Sequence, residues 1–463
     1  MTERSVIVVG GGVAGIAAAL RLSERGARVT LIETRTKLGG RATSFEDSRS
    51  GRWIDNCQHV AMGCCTNYLD LCDRLGVSDQ LTWTDTTWWV EEGGRTSTIR
   101  PGVLPAPAHF ARAFASASFL TLGEKRAIAG AMHAALRTDR DNHTDETFAQ
   151  WLEAHNQPAG AVAKFWEPVV VSACNLDCGR VSAASALHVF QEGFLSHKSA
   201  SRIAVSKVPL LRLYDKAEHV IASAGGTILL RTSVSRIGER SVTLADGSEL
   251  HADRVICAIP LDRAARFVDG DIQQRDDRLR AAAAHLSHSP IIGVHLAFDR
   301  AVMETPHAVL VGRETQWLFR KDGAGTRIHA VISAADAWVS LPEDEIVDRV
   351  MRDIRACYPR AERASISEAR AVKEKLATFG ATTEFERVRP ATTGDSELLL
   401  AGDFVQTGWP ATMEGAARSG YMAAAAALGM ETDAMLVPPL RPRVVARMIG
   451  KRAFRPQMRT PRL

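Results

Sequence analysis

Three glycines near the start, Gly10, Gly12 and Gly15, leave few folds open to this chain. They follow the apolar run Val6-Ile7-Val8-Val9, long enough for one buried parallel strand, and lead into helix formers from Ile16 to Arg25. A second apolar strand, Arg28 to Ile32, ends on Glu33. Strand, G-x-G-x-x-G turn, helix, strand and acid occur in order, the context that a dinucleotide-binding βαβ unit requires. Gly10 permits the tight turn, Gly12 lets backbone approach a pyrophosphate, and Gly15 lets helix and strand pack closely. Free N–H groups at the helix start, around Val13 and Ala14, attract phosphates together with the helix dipole. The Glu33 carboxylate is placed to accept hydrogen bonds from ribose hydroxyls. An acid there argues against a 2′-phosphate, and so for NAD or FAD over NADP.

The chain has 463 residues, ample for two packed domains or one large composite one. An apolar fraction of 46% with 24% charged residues is that of a globular protein. The net charge of +4 is uneven: Leu440 to Leu463 holds eight Arg or Lys and no acid, which leaves about −4 on the rest. Eight cysteines form no paired C-x-x-C sets of zinc spacing, so no metal is expected and the thiols read as reduced and packed. Met1-Thr2-Glu3-Arg4 leads straight into the first strand, and no apolar run is long enough to span a bilayer. A cytoplasmic protein is expected, and nothing in the pattern points to nucleic acid.

Farther along, Thr82 to Ile99 has the pattern of a hairpin, Ala108 to Arg137 that of a long helical region, and residues 100–200 are mainly helical. Strand grammar returns near Ala222 and recurs from Pro290 to Leu376. A strand then reaches Gly402-Asp403, followed by a turn into the helix that begins Thr412-Met413-Glu414-Gly415.

Leu38-Gly39-Gly40-Arg41-Ala42 resembles the G-G-R segment of the flavin amine oxidase and phytoene desaturase superfamily. The resemblance implies FAD, with Gly39, Gly40 and Arg41 at its phosphates, the Val234 backbone at the adenine, and Gly402 and Asp403 at the ribityl chain. Thr412 and Met413 begin a helix that would face the flavin ring, where a helix N-terminus stabilises the charge of the reduced state. No cysteine follows Cys357, so FAD is expected to be non-covalent. The expected fold class is α/β (an α+β composite): a Rossmann-like FAD-binding domain with an inserted substrate domain of helices on a mixed β-sheet. FAD-binding segments are expected at 1–75, 215–265 and 395–432. A mainly helical substrate part is expected at 76–214, its sheet part at 266–394, and a basic tail at 433–463.

Within that superfamily, Asp55-Asn56-Cys57-Gln58-His59, Phe165-Trp166-Glu167-Pro168 with Asn175, and Gly408-Trp409-Pro410-Ala411-Thr412-Met413-Glu414-Gly415 resemble the bacterial hydroxysqualene dehydroxylases. Cys57 departs from the family pattern, which has glycine there; a glycine-only backbone angle would reshape the loop. The resemblance implies that reduced FAD, loaded by an unidentified electron donor, converts a polyisoprenoid, hydroxysqualene, to squalene. Departure of an allylic hydroxyl needs a proton donor in a dry site. His59 and Asp55 are the candidate acid and its orienting partner. Glu374 and Lys375 are weaker candidates, and as strand neighbours only one of them can face the site. A carotenoid desaturase or isomerase is the nearer rival. An amine oxidase is farther, since Thr412 stands where an aromatic cage wall belongs, and a non-catalytic prenyl-binding protein is farthest. Phe110, Phe114 and Phe119 suit either a buried core face, the favoured reading, or a peripheral contact at the inner face of the cell membrane, which the basic tail from Arg441 also suits.

Overall fold

The computed structural model describes residues 4–450 and 453–454. The strand before the glycine turn, Ser5–Val9, lies at the centre of a five-stranded parallel sheet. Its order is Thr227–Leu229, Arg28–Ile32, Ser5–Val9, Arg254–Cys257, Leu399–Leu400. Strands covered on both faces read as continuous apolar runs, and Val6, Val8, Val29, Leu31, Val255 and Ile256 are each at most 1% exposed. The motif's helix, Val13–Ser23, packs against the late helix Met413–Leu428. Their closest approach is at Gly420, where an added Cβ would lie 2.3 Å from the Ala14 carbonyl oxygen.

A second sheet has seven strands, ordered Ile366–Phe379, His288–Phe298, Arg327–Ile332, Trp317–Arg320, His307–Leu310, Thr87–Val90, Thr96–Ile99. It is antiparallel except where His307–Leu310 runs parallel to Thr87–Val90. The Trp-rich hairpin therefore joins the same sheet as strands two hundred residues later, turning through Gly93 and Gly94 at positive φ. Ile292, Val294 and Leu296 alternate onto one face and meet Ile346, Val350 and Ile354, one stripe of the helix Glu343–Cys357.

Helices between residues 108 and 223 cover the remaining side around Phe148, Trp151, Trp166 and Phe190. The expected long helix from Ala108 is interrupted. A short helix, Ala111–Ser116, gives way to a fresh start at Thr121, whose hydroxyl accepts from the Glu124 N–H while the Glu124 carboxylate accepts from the Thr121 N–H. Phe119 stacks on Trp89 at 5.0 Å in the core, and half-buried Phe110 and Phe114 turn to Phe194 and Phe165. This aromatic stretch is thus core packing, the first of the two readings its sequence allows. Among the described residues no helix is long and apolar enough to cross a membrane.

Candidate active site

A cavity of about 620 Å³ opens at the carboxyl ends of the parallel strands and reaches the edge of the second sheet. At its first end lie Gly10, Gly12, Val13, Ala14, Glu33, Gly39, Gly40 and Arg41. Gly10 has φ +112°, and a Cβ there would sit 2.6 Å from the Ala258 carbonyl oxygen. Gly15 lies just behind the turn, where a Cβ would collide with the Gly10 carbonyl oxygen at 1.8 Å. At Gly12 the nearest atom to an added Cβ is the Gly40 Cα, 3.9 Å away, so bare backbone faces open space, as a pyrophosphate requires. Glu33 is held by two backbone donors, Gly11 N–H at 2.7 Å on one oxygen and Arg35 N–H at 2.8 Å on the other. Its carboxylate is thereby fixed at the cavity wall with lone pairs left for hydroxyl donors.

Val234, Gly402, Asp403, Thr412 and Met413 line the same cavity. Asp403 pairs with the Arg41 guanidinium, which also donates to the Ala377 carbonyl at 3.1 Å. Thr412 caps the late helix, its hydroxyl accepting from Gly415 N–H at 3.0 Å, so the helix start is presented to the cavity with its N–H groups aligned. Two residues that sequence reasoning passed over hold this wall from behind. Buried Arg389 donates to the carbonyls of Asp403, Phe404 and Trp409, and Glu414 accepts from the Asn67 and Tyr68 N–H groups. Glu414 was legible as a first-turn acid; nothing local marks Arg389. The donor set, glycine cradle and presented helix start fit FAD.

The other end is lined by Asn56, Cys57, Gln58, His59, Ser172, Ala173, Asn175, Ile291, Glu374 and Thr378. Asn175 caps the helix Glu167–Cys174 at φ +54°, donates to Ser289 O and Thr378 Oγ1, both at 2.9 Å, and accepts from Ala334 N–H at 2.7 Å. It binds the helical layer to the sheet. The strand Ile366–Phe379 bulges here: Ser289 pairs with Thr378 and Ile291 with Glu374, which leaves three residues opposite Pro290. Proline has no N–H to keep that ladder, and the bulge aims Glu374, Ala377 and Thr378 at the cavity while Leu376 is thrown outward, 51% exposed. Glu374 faces the site, and exposed Lys375 does not line it.

His59 lines the cavity, its Nδ1–H donating to the Cys57 carbonyl at 3.2 Å. Burial pulls its pKa below the ordinary histidine value, against that hydrogen bond and the charges of Asp55 and Glu374. Burial pushes the Cys57 thiol well up, so it stays protonated. Cys57 is not among the residues with positive φ, and the loop accepts it without a glycine's angle. The expected pairing of Asp55 with His59 is not what the fold builds. Asp55 is 4% exposed and lies outside the cavity lining. One of its oxygens accepts from Ser44 Oγ and Leu210 N–H at 2.7 and 2.9 Å, and the other meets Lys321 Nζ at 3.4 Å. Its backbone carbonyl accepts from His295 at 2.9 Å. Asp55 anchors the base of the loop, and its charge reaches His59 only through space.

The chain matches the family described as flavin containing amine oxidoreductase over residues 13–428. It is 27% identical over 444 residues to a hydroxysqualene dehydroxylase of Sinorhizobium fredii, covering 92% of this chain and 98% of that protein. It is 24% identical to the 15-cis-phytoene desaturase of Arabidopsis thaliana, covering 90% and 78%. A solved putrescine oxidase bound to putrescine superposes with a TM-score of 0.70 at 17% identity, over 92% of this chain and 99% of that one. This chain is an FAD-dependent oxidoreductase and belongs to the flavin-containing amine oxidoreductase family.

Proposed function

We propose that this protein reductively removes the allylic hydroxyl of hydroxysqualene to give squalene. The observation that carries this reading is the match to hydroxysqualene dehydroxylase along nearly the whole of both chains. The cavity agrees with it chemically, because an imidazole and a carboxylate face it, groups that the departure of a hydroxyl uses. Reduced FAD supplies a hydride to the carbon that loses its oxygen. The chain's residues do the rest. Gly10, Gly12, Val13, Ala14 and Gly15 cradle the phosphates with Gly39, Gly40 and Arg41. Glu33 holds a ribose and Val234 the adenine, while Gly402, Asp403, Thr412 and Met413 hold the ribityl chain and ring, all without a covalent link. Residues 1–75, 215–265 and 395–432 form that cradle; residues 76–214 and 266–394 surround the substrate. His59, which lines the cavity, delivers the proton to the departing oxygen from Nε2 once the imidazole has taken one up, a state that burial opposes and the charges of Asp55 and Glu374 favour. The test is to incubate chemically reduced holoenzyme with hydroxysqualene, and in parallel with phytoene and an amine set. Squalene from the first alone is expected; turnover of phytoene or amines in its place overturns the assignment.

Such a substrate is hardly soluble, and we propose that it is taken from an anionic bilayer. The helix Val444–Ile449 buries Ala446 and leaves Val444, Val445 and Met448 outside, Met448 at 67% exposure. Arg441, Arg443 and Arg447 are exposed beside them. Apolar insertion with about 1 kcal/mol per basic residue near charged headgroups suits peripheral attachment. Residues 451–452 and 455–463 of the basic tail lie outside the described residues. Met448→Asp is expected to lower co-sedimentation with phosphatidylglycerol vesicles, and unchanged sedimentation removes this helix from the interface.

A further inference from the structure

We propose that Glu374 is the group that recognises the substrate's hydroxyl, accepting its hydrogen bond at the cavity wall and so setting the preference for an alcohol over the bare hydrocarbon. This rests on the reaction proposed above. Three carboxylates line the cavity. Glu33 accepts from two backbone N–H groups at the cofactor end, and Asp403 is paired with Arg41. Glu374 alone has no hydrogen-bond or ion-pair partner among the described residues, although it is half-buried. Its oxygens are open to the cavity, and a ligand's hydroxyl that displaces water there can donate to them.

Its surroundings narrow the ligand. Across the ladder stands Ile291, and Ala377 and Ala173 line the wall nearby. Thr378 already accepts from Asn175, Cys57 is a neutral thiol, and His59 Nδ1–H is given to the Cys57 carbonyl. Glu374 lines the same cavity as Cys57 and His59, and its charge, like that of Asp55, acts on both through space. A hydroxyl that donates to Glu374 is held in the cavity that His59 also lines, its oxygen keeping lone pairs for a proton. The bulge opposite Pro290 is what turns this carboxylate inward. A charged acceptor with no protein partner disfavours an analogue that lacks the donor, because the acceptor then gives up water without a replacement.

The test uses FAD-loaded, oxidised protein, in which no turnover occurs. Perturbation of the flavin absorbance is titrated with hydroxysqualene, squalene and a long-chain primary amine in detergent micelles. Wild type is expected to bind the alcohol at least about tenfold more tightly than squalene, the range for a hydrogen bond to a charged group. Glu374→Leu should abolish that preference. Glu374→Gln, which keeps the shape and a weaker acceptor, should reduce it with FAD content and melting temperature retained. A preference that survives Glu374→Leu, or an amine bound more tightly than the alcohol, overturns the proposal. A Glu374-dependent preference with no squalene formed on reduction would sink the reaction and leave the recognition standing; squalene formed with a Glu374-independent preference would do the reverse.

Discussion

The two ends of the cavity are built differently. At the cofactor end the polar groups are already committed: Glu33 to two N–H groups, Asp403 to Arg41, the helix start to its Thr412 cap. At the substrate end Asn175, Thr378 and Ser172 are tied into the fold, but His59 is held by one carbonyl and Glu374 has no hydrogen-bond or ion-pair partner among the described residues. The first end is a rigid template for a ligand of fixed shape. The second keeps its hydrogen-bonding capacity for a flexible ligand and the chemistry performed on it. Preorganisation has been placed where the ligand does not change.

The largest expected effect breaks the template. Gly15→Val puts side-chain atoms where even a Cβ would lie 1.8 Å from the Gly10 carbonyl oxygen, so purified variant should lack flavin absorbance altogether; a yellow, FAD-replete variant would show the turn to be pliable. Next, Asn175→Ala removes three hydrogen bonds and leaves alanine at φ +54°, a loss of about 3 kcal/mol by the usual worth of each. Urea unfolding measures it, and Asn175→Gly, which keeps the backbone angle easy, should recover part. The smallest effect separates the two halves by pH. Burial lowers His109, His188, His295, His307 and His329, all on the substrate side, and holds His307 at about 4. The unfolded chain takes protons near 6.5 that these folded residues refuse, so stability is full above that pH and lost as pH falls toward 4. His307 alone, 1% exposed, should cost about 2 kcal/mol by pH 5. Melting at pH 5 and pH 7.5, followed by tryptophan fluorescence, checks this; a pH-independent midpoint would mean that the histidines open to water first.

The same contrast explains what was legible in the sequence. Gly10, Gly12, Gly15 and Glu33 act on one ligand from neighbouring positions in the chain, so their spacing alone reveals them. The substrate end draws Asn56 to Val60, Ser172 to Asn175, Ile291 and Glu374 together through strand register and a bulge. No local pattern announces that three residues will stand opposite Pro290. Asp55 was misassigned for that reason: proximity along the chain to His59 suggested a partnership, while Ser44, Leu210 and Lys321 claim it in space. For Phe119 the sequence left core and interface both open, since aromatic spacing on a helix does not say whether Trp89 waits opposite.

The order of the parallel sheet bears on synthesis. Its central strand is complete at Val9, but its outer strand, Leu399–Leu400, pairs with Arg254–Cys257 only after nearly four hundred further residues. At ribosomal speeds that interval is roughly 20 to 80 s. During it the nascent glycine cradle exists without the wall that Asp403 and Met413 provide, and long-range parallel pairing is slow in any case. Capture of the cofactor is therefore a late event in the life of each new molecule. A chain made without FAD would still close its last strand on Arg254–Cys257 and its last helix on Val13–Ser23, leaving the cradle to be filled afterwards.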